Sequence, residues 1–195
     1  MNRDLFDRSV LYLLCALRGL GSDLTRPTPC HGWDVRMLLA HVEESIAALR
    51  EGVAGGRIYA TPATRHPDAT AVAHVQAAAT GLLGDLAHYS PNPVLVSDTP
   101  LPAEILGAAG ALELTVHAWD IAVAHTPSVQ IPDELAGDLL TIAPQLVPIT
   151  GRDPLFGPPV PTYTTRPGEQ LLAYLGRKSP ARVGAADPVA LPSAW

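Results

Sequence analysis

Glu113 and His117 are the two residues of this sequence best spaced to do chemistry together. They are four positions apart in a run typical of a helix, so their side chains lie one above the other on one face. A carboxylate and an imidazole at this spacing can share a divalent metal ion. Asp120 continues the same face. Because the run is otherwise almost wholly apolar, a buried Glu113 would need a cation, a hydrogen-bonding network or water.

His41 is the third candidate ligand, and it belongs to a second predicted helix. It flanks an apolar stripe that can face the interior of a bundle, formed by Val35, Leu38, Val42, Ile46 and Leu49. Two histidines and a carboxylate from facing helices are a usual ligand set for a divalent transition metal, and open coordination positions make such a site catalytic. Spacing alone does not decide between this metal site and a salt-bridged helix face.

The apolar periodicity predicts helices that could position these residues. The four main helices are expected over residues 4–20, 33–50, 69–87 and 103–124. Two long Gly/Pro-rich connections separate them, and the second contains a short extended piece, Val94 to Val96. Shorter helices are expected over 132–143, ending before Pro144, and over 168–175. We therefore predict an all-α protein, an up-and-down four-helix bundle with long connecting loops and short accessory C-terminal helices.

Length and charge exclude several classes of protein. The 195 residues are 47% hydrophobic and carry a formal net charge of −6, and Lys178 is the only lysine. No basic stripe exists for nucleic acid, and no run of about twenty apolar residues exists for a membrane span. Asp4, Asp7 and Arg18 argue against a signal peptide, so we expect a cytoplasmic protein with free thiols at Cys15 and Cys30. Residues 1–178 are expected to form one domain and residues 179–195 a tail.

The segment TPCHGWDVRMLLAHV, residues 28–42, resembles a signature of the actinobacterial DinB-like metal-binding proteins. That group includes the N-terminal domain of mycothiol-dependent maleylpyruvate isomerase. ELTVHAWD, residues 113–120, is similar to its second signature, and residues 156–161 and 171–177 resemble the closing segment of its single-domain members. The resemblance implies a DinB-like fold in which His41, Glu113 and His117 bind a metal. Asp120 is expected to orient a ligand or fix the helix, not to bind the ion.

The resemblance also implies a function. The metal would be zinc first, with nickel, iron or manganese as alternatives, and the co-substrate would be mycothiol or a similar thiol. We expect a metal-dependent thiol S-transferase or isomerase acting on a small organic electrophile. Maleylpyruvate isomerisation itself is not implied, because the isomerase uses a second domain. Two alternatives stay open: a hydrolase, lyase or cyclase that works without thiol, and a non-enzymatic metal-binding module. Monomer and homodimer are both open.

Several neighbouring residues receive simpler interpretations. Cys30 is expected to pack as a small hydrophobe, and Trp119 to serve packing. Glu43 and Glu44 are interpreted as a solvated helix face, with the mouth of a pocket as the alternative. The sequence gives no partner for the remaining histidines, which are His31, His66, His74, His88 and His125.

Overall fold

The computed structural model describes residues 2–59, 66–88, 93–152 and 156–178. The expected tail, residues 179–195, lies outside this part of the chain. The described helices are α1 (Arg3–Arg18), α2 (Val35–Gly55), α3 (Asp68–Ala87), α4 (Ala103–Val123), α5 (Asp133–Leu146) and α6 (Pro167–Tyr174). Three short strands lie between them, β1 (Arg57–Ile58), β2 (Val94–Val96) and β3 (Thr99–Leu101).

Helices α1 to α4 form a four-helix bundle, which confirms the predicted all-α, DinB-like class. Helix α4 packs on α1 and α2, and α3 packs on the same two helices. Helix α5 packs on α4 and α1, and α6 packs on α5. Leu114, Trp119 and Ile121 are fully buried, as expected for an enclosed central helix. None of the helices in the described part of the chain is long and apolar enough to cross a membrane.

The directions of the helices differ from the predicted up-and-down order. Pairs of contacting residues fix these directions: Arg36 with Asp68 and Arg50 with Asp85 make α2 and α3 parallel, whereas His41 with Glu113 and Leu49 with Gly110 make α2 and α4 antiparallel. Arg3 at the start of α1 donates a hydrogen bond to the Leu86 carbonyl at the end of α3, so α1 is antiparallel to α3. The four helices therefore run up, down, down and up.

The connection between α2 and α3 makes this order possible. Residues 56–67 can reach about 40 Å when extended, and α3, with 20 residues, is about 30 Å long. The connection can therefore return along the whole bundle before α3 begins. The up-and-down prediction is wrong because apolar periodicity locates a helix and its buried face but carries no information on its direction.

A small three-stranded sheet closes one end of the bundle. Strand β1 pairs in parallel with β2, and β2 pairs antiparallel with β3. The expected extended piece is confirmed as β2, which is marked by an apolar run, whereas β1 and β3 were not predicted, since neither forms such a run and both are too short to show a period. Gly56, with φ of 65°, ends α2 in the left-handed conformation and lets the chain turn at once into β1.

The ends of two helices depend on single residues. Asp34 caps α2, because its carboxylate accepts a hydrogen bond from the Met37 backbone N–H at 2.8 Å. Helix α5 continues through Pro144 to Leu146, so the predicted end before this proline is wrong. Pro144 lies in the last turn, where its missing N–H removes only one helical hydrogen bond.

Candidate metal centre

The three predicted ligands meet between α2 and α4. One donor atom from each of His41, Glu113 and His117 lies within 4.8 Å of the other two. His41 Nε2 is 2.8 Å from Glu113 Oε1, and His117 Nε2 is 3.3 Å from the same oxygen. Donors bound tetrahedrally at 2.0 to 2.2 Å from one ion would be about 3.4 Å apart. The donor set and its spacing therefore fit one divalent transition-metal ion.

Asp120 lies behind His117, on the side away from Glu113. His117 Nδ1 donates a hydrogen bond to Asp120 Oδ2 at 3.1 Å, and the Asp120 side chain is fully buried. When a metal ion displaces the proton on Nε2, the hydrogen bond to Asp120 keeps the remaining ring proton on Nδ1 and leaves Nε2 free to bind the ion. This is the tautomer that a metal-binding histidine needs, and a carboxylate is its usual partner.

Arg177, just after α6, supplies the counter-charge for Asp120. Its Nη2 donates to Asp120 Oδ2 at 2.8 Å and its Nε to Oδ1 at 3.3 Å, and both side chains are buried. The sequence placed Arg177 in a closing segment but assigned it no role. The only available signal was the need of a buried Asp120 for a cation, and that need does not identify which arginine supplies it.

Cys30 lies beside the same pair of residues. Its thiol donates to Asp120 Oδ2 at 3.3 Å, and Sγ is 3.8 Å from His117 Nδ1. The side chain also packs against the hydrophobic core, as predicted. The expected small hydrophobe is therefore also a hydrogen-bond donor to the network behind His117.

Acidic and basic side chains alternate in the site. Burial lowers the pKa of His117, but hydrogen bonds to Asp120, Cys30 and Glu113 outweigh burial and raise the pKa to about 11. Burial raises the pKa of Glu113, but hydrogen bonds from His117 and His41 outweigh it and hold the pKa well below its usual range. The site thus stabilises positive charge between two carboxylates, which is the electrostatic condition for holding a cation.

Two further residues fix the ligands in place. Ser45 Oγ donates to Glu113 Oε1 at 3.0 Å, and the Trp33 ring packs edge-on against His41 with 5.0 Å between centroids. Ser45 was missed by sequence reasoning, although it lies one helical turn after His41 and so on the same face of α2. Trp119 is buried and donates its indole N–H to the Val129 carbonyl, which confirms its packing role.

His41 also lines a pocket of about 280 Å³ on the outer side of the centre. Glu43, Glu44 and His66 line the same pocket. Glu44 is exposed, whereas Glu43 is half-buried and accepts a hydrogen bond from His66 Nε2 at 3.1 Å. The solvated-face interpretation is therefore wrong for Glu43. The pocket gives a small ligand a route to His41.

Comparison with known proteins supplies a family. Residues 8–122 match the profile of the mycothiol maleylpyruvate isomerase N-terminal domain. Two uncharacterized proteins of Mycobacterium tuberculosis, from strains CDC 1551 / Oshkosh and ATCC 25618 / H37Rv, are each 34% identical over 163 residues, which cover 77% of this chain and 83% of the relative. No solved structure matches the chain. The matched profile spans every candidate ligand and Asp120 but ends before Arg177.

Proposed function

Because the chain belongs to the mycothiol maleylpyruvate isomerase N-terminal domain family, we propose that it is a metal-dependent enzyme that uses a small thiol. The thiol is mycothiol or a similar molecule, and the enzyme transfers it to a small organic electrophile or uses it to isomerise one. The observation that carries this proposal is the meeting of the His41, Glu113 and His117 donor atoms beside a pocket.

His41 Nε2, His117 Nε2 and a Glu113 oxygen would hold the metal ion. Two nitrogens and one oxygen suit zinc first, with nickel, iron and manganese as alternatives. Three protein ligands leave coordination positions open. A bound ion supplies a Lewis acid that lowers the pKa of a thiol coordinated to it.

The protein's own residues hold these donor atoms in position. Asp120 holds the Nδ1 proton of His117, and Arg177 holds Asp120. Ser45 orients Glu113 through its hydroxyl group. These contacts fix the direction of each donor before an ion or a substrate arrives, so little reorganisation is needed on binding.

The size of the expected effect follows from the acidity of thiols. A free thiol with a pKa of about 8.5 is about 3% thiolate at pH 7, so full deprotonation raises the thiolate fraction about 30-fold. Positioning the electrophile in the neighbouring pocket adds to this factor. Thiolate supply alone therefore predicts a metal-dependent rate increase of at most about 30-fold.

Metal content tests the ligand assignment. Zinc-loaded His117→Ala should contain one equivalent of zinc fewer than the wild-type protein in elemental analysis, because it lacks a donor nitrogen. His125→Ala is the matched control, since His125 follows α4 and hydrogen-bonds the Asp23 carbonyl instead of the site. If His117→Ala keeps all of its zinc with unchanged affinity, the assignment is wrong.

Thiol consumption tests the reaction. The zinc-loaded protein should accelerate conjugation of mycothiol to 1-chloro-2,4-dinitrobenzene, and His41→Ala should lose this acceleration while the exposed-site control His31→Ala keeps it. Equal rates for the wild-type and His41→Ala proteins would contradict the proposal. Full turnover of an electrophile without any thiol would favour metal-activated water, and intact metal without turnover would favour a binding module.

A further inference from the structure

Glu43, His66 and His74 form a second cluster of metal-ligating side chains, between α2 and the start of α3. One donor atom from each residue lies within 4.8 Å of the other two. The two imidazole rings are stacked, with 3.5 Å between centroids and 6° between planes. His66 Nε2 lies 3.1 Å from Glu43 Oε1. None of these residues belongs to the centre formed by His41, Glu113 and His117.

We propose that this cluster binds a second divalent transition-metal ion, zinc or a similar ion. Two imidazole nitrogens and a carboxylate oxygen are the donor types that such ions select. The ion takes the place of the hydrogen bond between His66 Nε2 and Glu43, and the ring proton of the neutral His66 is then carried by Nδ1. The proposal does not depend on the proposed enzymatic function.

The burial and arrangement of the cluster support an ion over a simple hydrogen bond. The side chains of Glu43 and His66 are only 18% and 19% exposed. His74 is exposed and stacks on His66, and one of its ring nitrogens lies within 4.8 Å of a donor atom of each of the other two residues. Its ring can turn the short distance that three bonds of about 2.1 Å require.

The charge of the surrounding pocket favours a cation. Glu43 supplies a carboxylate to this wall, and Arg36, which also lines the pocket, is paired with Asp68 at 2.6 Å. The charge of Arg36 is therefore compensated by Asp68 and does not oppose a cation bound at Glu43. An anion would instead be repelled by the Glu43 carboxylate.

An ion at this position would join two parts of the fold. Glu43 lies on α2, whereas His66 lies just before α3 and His74 within it. The ion would tie the start of α3 to the middle of α2, where the long connection between these helices ends. Because His41, Glu43 and His66 line one pocket, the two ions would lie at walls of the same pocket.

Calorimetric titration with Zn²⁺ tests the second site. The wild-type protein should bind two equivalents, and Glu43→Gln and His74→Ala should each bind one. His88→Ala is the matched control, because His88 lies exposed at the end of α3 and should leave both equivalents in place. A double variant with Glu43→Gln and His117→Ala should bind none.

Two results would overturn the second site. The first is a single equivalent in the wild-type protein that Glu43→Gln retains, and the second is two equivalents that both Glu43→Gln and His74→Ala retain. Circular dichroism and the remaining equivalent establish that each variant is folded. The equivalent that His117→Ala loses belongs to the centre between α2 and α4, so failure of one site is distinguished from failure of the other.

Discussion

Asp120 accepts hydrogen bonds from His117, Arg177 and Cys30, and its side chain is fully buried. Burial raises the pKa of this carboxyl, but the hydrogen bond from His117 and the charge of Arg177 outweigh burial and lower the pKa. The group is therefore a carboxylate in the interior, and it connects a candidate ligand to the segment after α6. A single residue thus couples the candidate centre to the C-terminal part of the described fold.

We expect Asp120→Asn to weaken zinc binding at the His41, Glu113 and His117 centre by about 10-fold to 100-fold. The amide can still accept from His117 Nδ1, but it lacks the charge that makes Nε2 a stronger donor. A competition titration with a zinc chelator measures the change. Asp23→Asn is the control, since Asp23 is exposed and bonds Thr25. Equal affinities for the wild-type protein and Asp120→Asn would contradict this role.

Removal of Arg177 should affect stability more than removal of an arginine on the surface. Arg177→Met leaves the Asp120 charge buried without its main cation, and we expect a loss of about 3 to 5 kcal/mol in the free energy of unfolding. Arg36→Met is the matched control, because the Arg36 and Asp68 side chains are 47% and 48% exposed and such pairs contribute at most about 1 kcal/mol. Urea unfolding followed by circular dichroism measures both, and similar losses would refute the distinction.

At the scale of elements, Leu49 of α2 and Phe6 of α1 fill the space beside Gly110 on α4. A Cβ added at Gly110 would lie 2.7 Å from both Leu49 Cδ2 and Phe6 Cε2. This contact keeps α2 and α4 in the relative position that brings His41 to Glu113. The packing of the helices and the geometry of the candidate centre are therefore linked.

Gly110→Ala should destabilise the protein by about 1 to 3 kcal/mol, because the added methyl group overpacks this contact. Gly84→Ala on α3 is the matched control, since a Cβ there meets nothing within 4 Å. That substitution should stabilise the helix by about 0.5 to 1 kcal/mol, because alanine restricts the unfolded chain. Opposite signs in thermal unfolding are the expected result, and stabilisation by both substitutions would contradict the tight packing.

At the scale of the whole molecule, the segment that ends at Arg177 packs back on the helices that precede it. Helix α6 buries Leu171 and Leu172, and Arg177 then reaches back to Asp120 in α4. The N-terminal helices and the end of the described chain thus contribute to one core and one site. We retain the domain of residues 1–178 as a proposal on this basis.

Truncation tests the domain boundary. A chain ending at Lys178 should keep the thermal midpoint and the zinc content of the full chain, because it retains every contact described above. A chain ending at Arg166 lacks α6 and Arg177, so its midpoint should be clearly lower. If the two truncated chains are destabilised equally, the boundary at residue 178 is wrong.

The sequence by itself determined the helices and the candidate ligands. The period of apolar residues predicted both ends of α1 to α4 to within five residues, since helical hydrogen bonds and capping by residues such as Asp34 are local. The spacing of Glu113 and His117 placed them on one face for the same reason. His41 joined them through an apolar stripe and a family resemblance, which together indicated a bundle interior shared by α2 and α4.

Tertiary structure alone decided which distant residues meet. The parallel run of α2 and α3, the pair of Arg177 with Asp120, and the cluster of Glu43, His66 and His74 join segments whose contact no local pattern encodes. Each depends on the direction in which a helix crosses the bundle, and that direction is selected by packing of the whole chain. Local hydrogen bonding fixes a helix wherever it lies, whereas a buried ion pair or a ligand cluster exists only after all of its helices have packed.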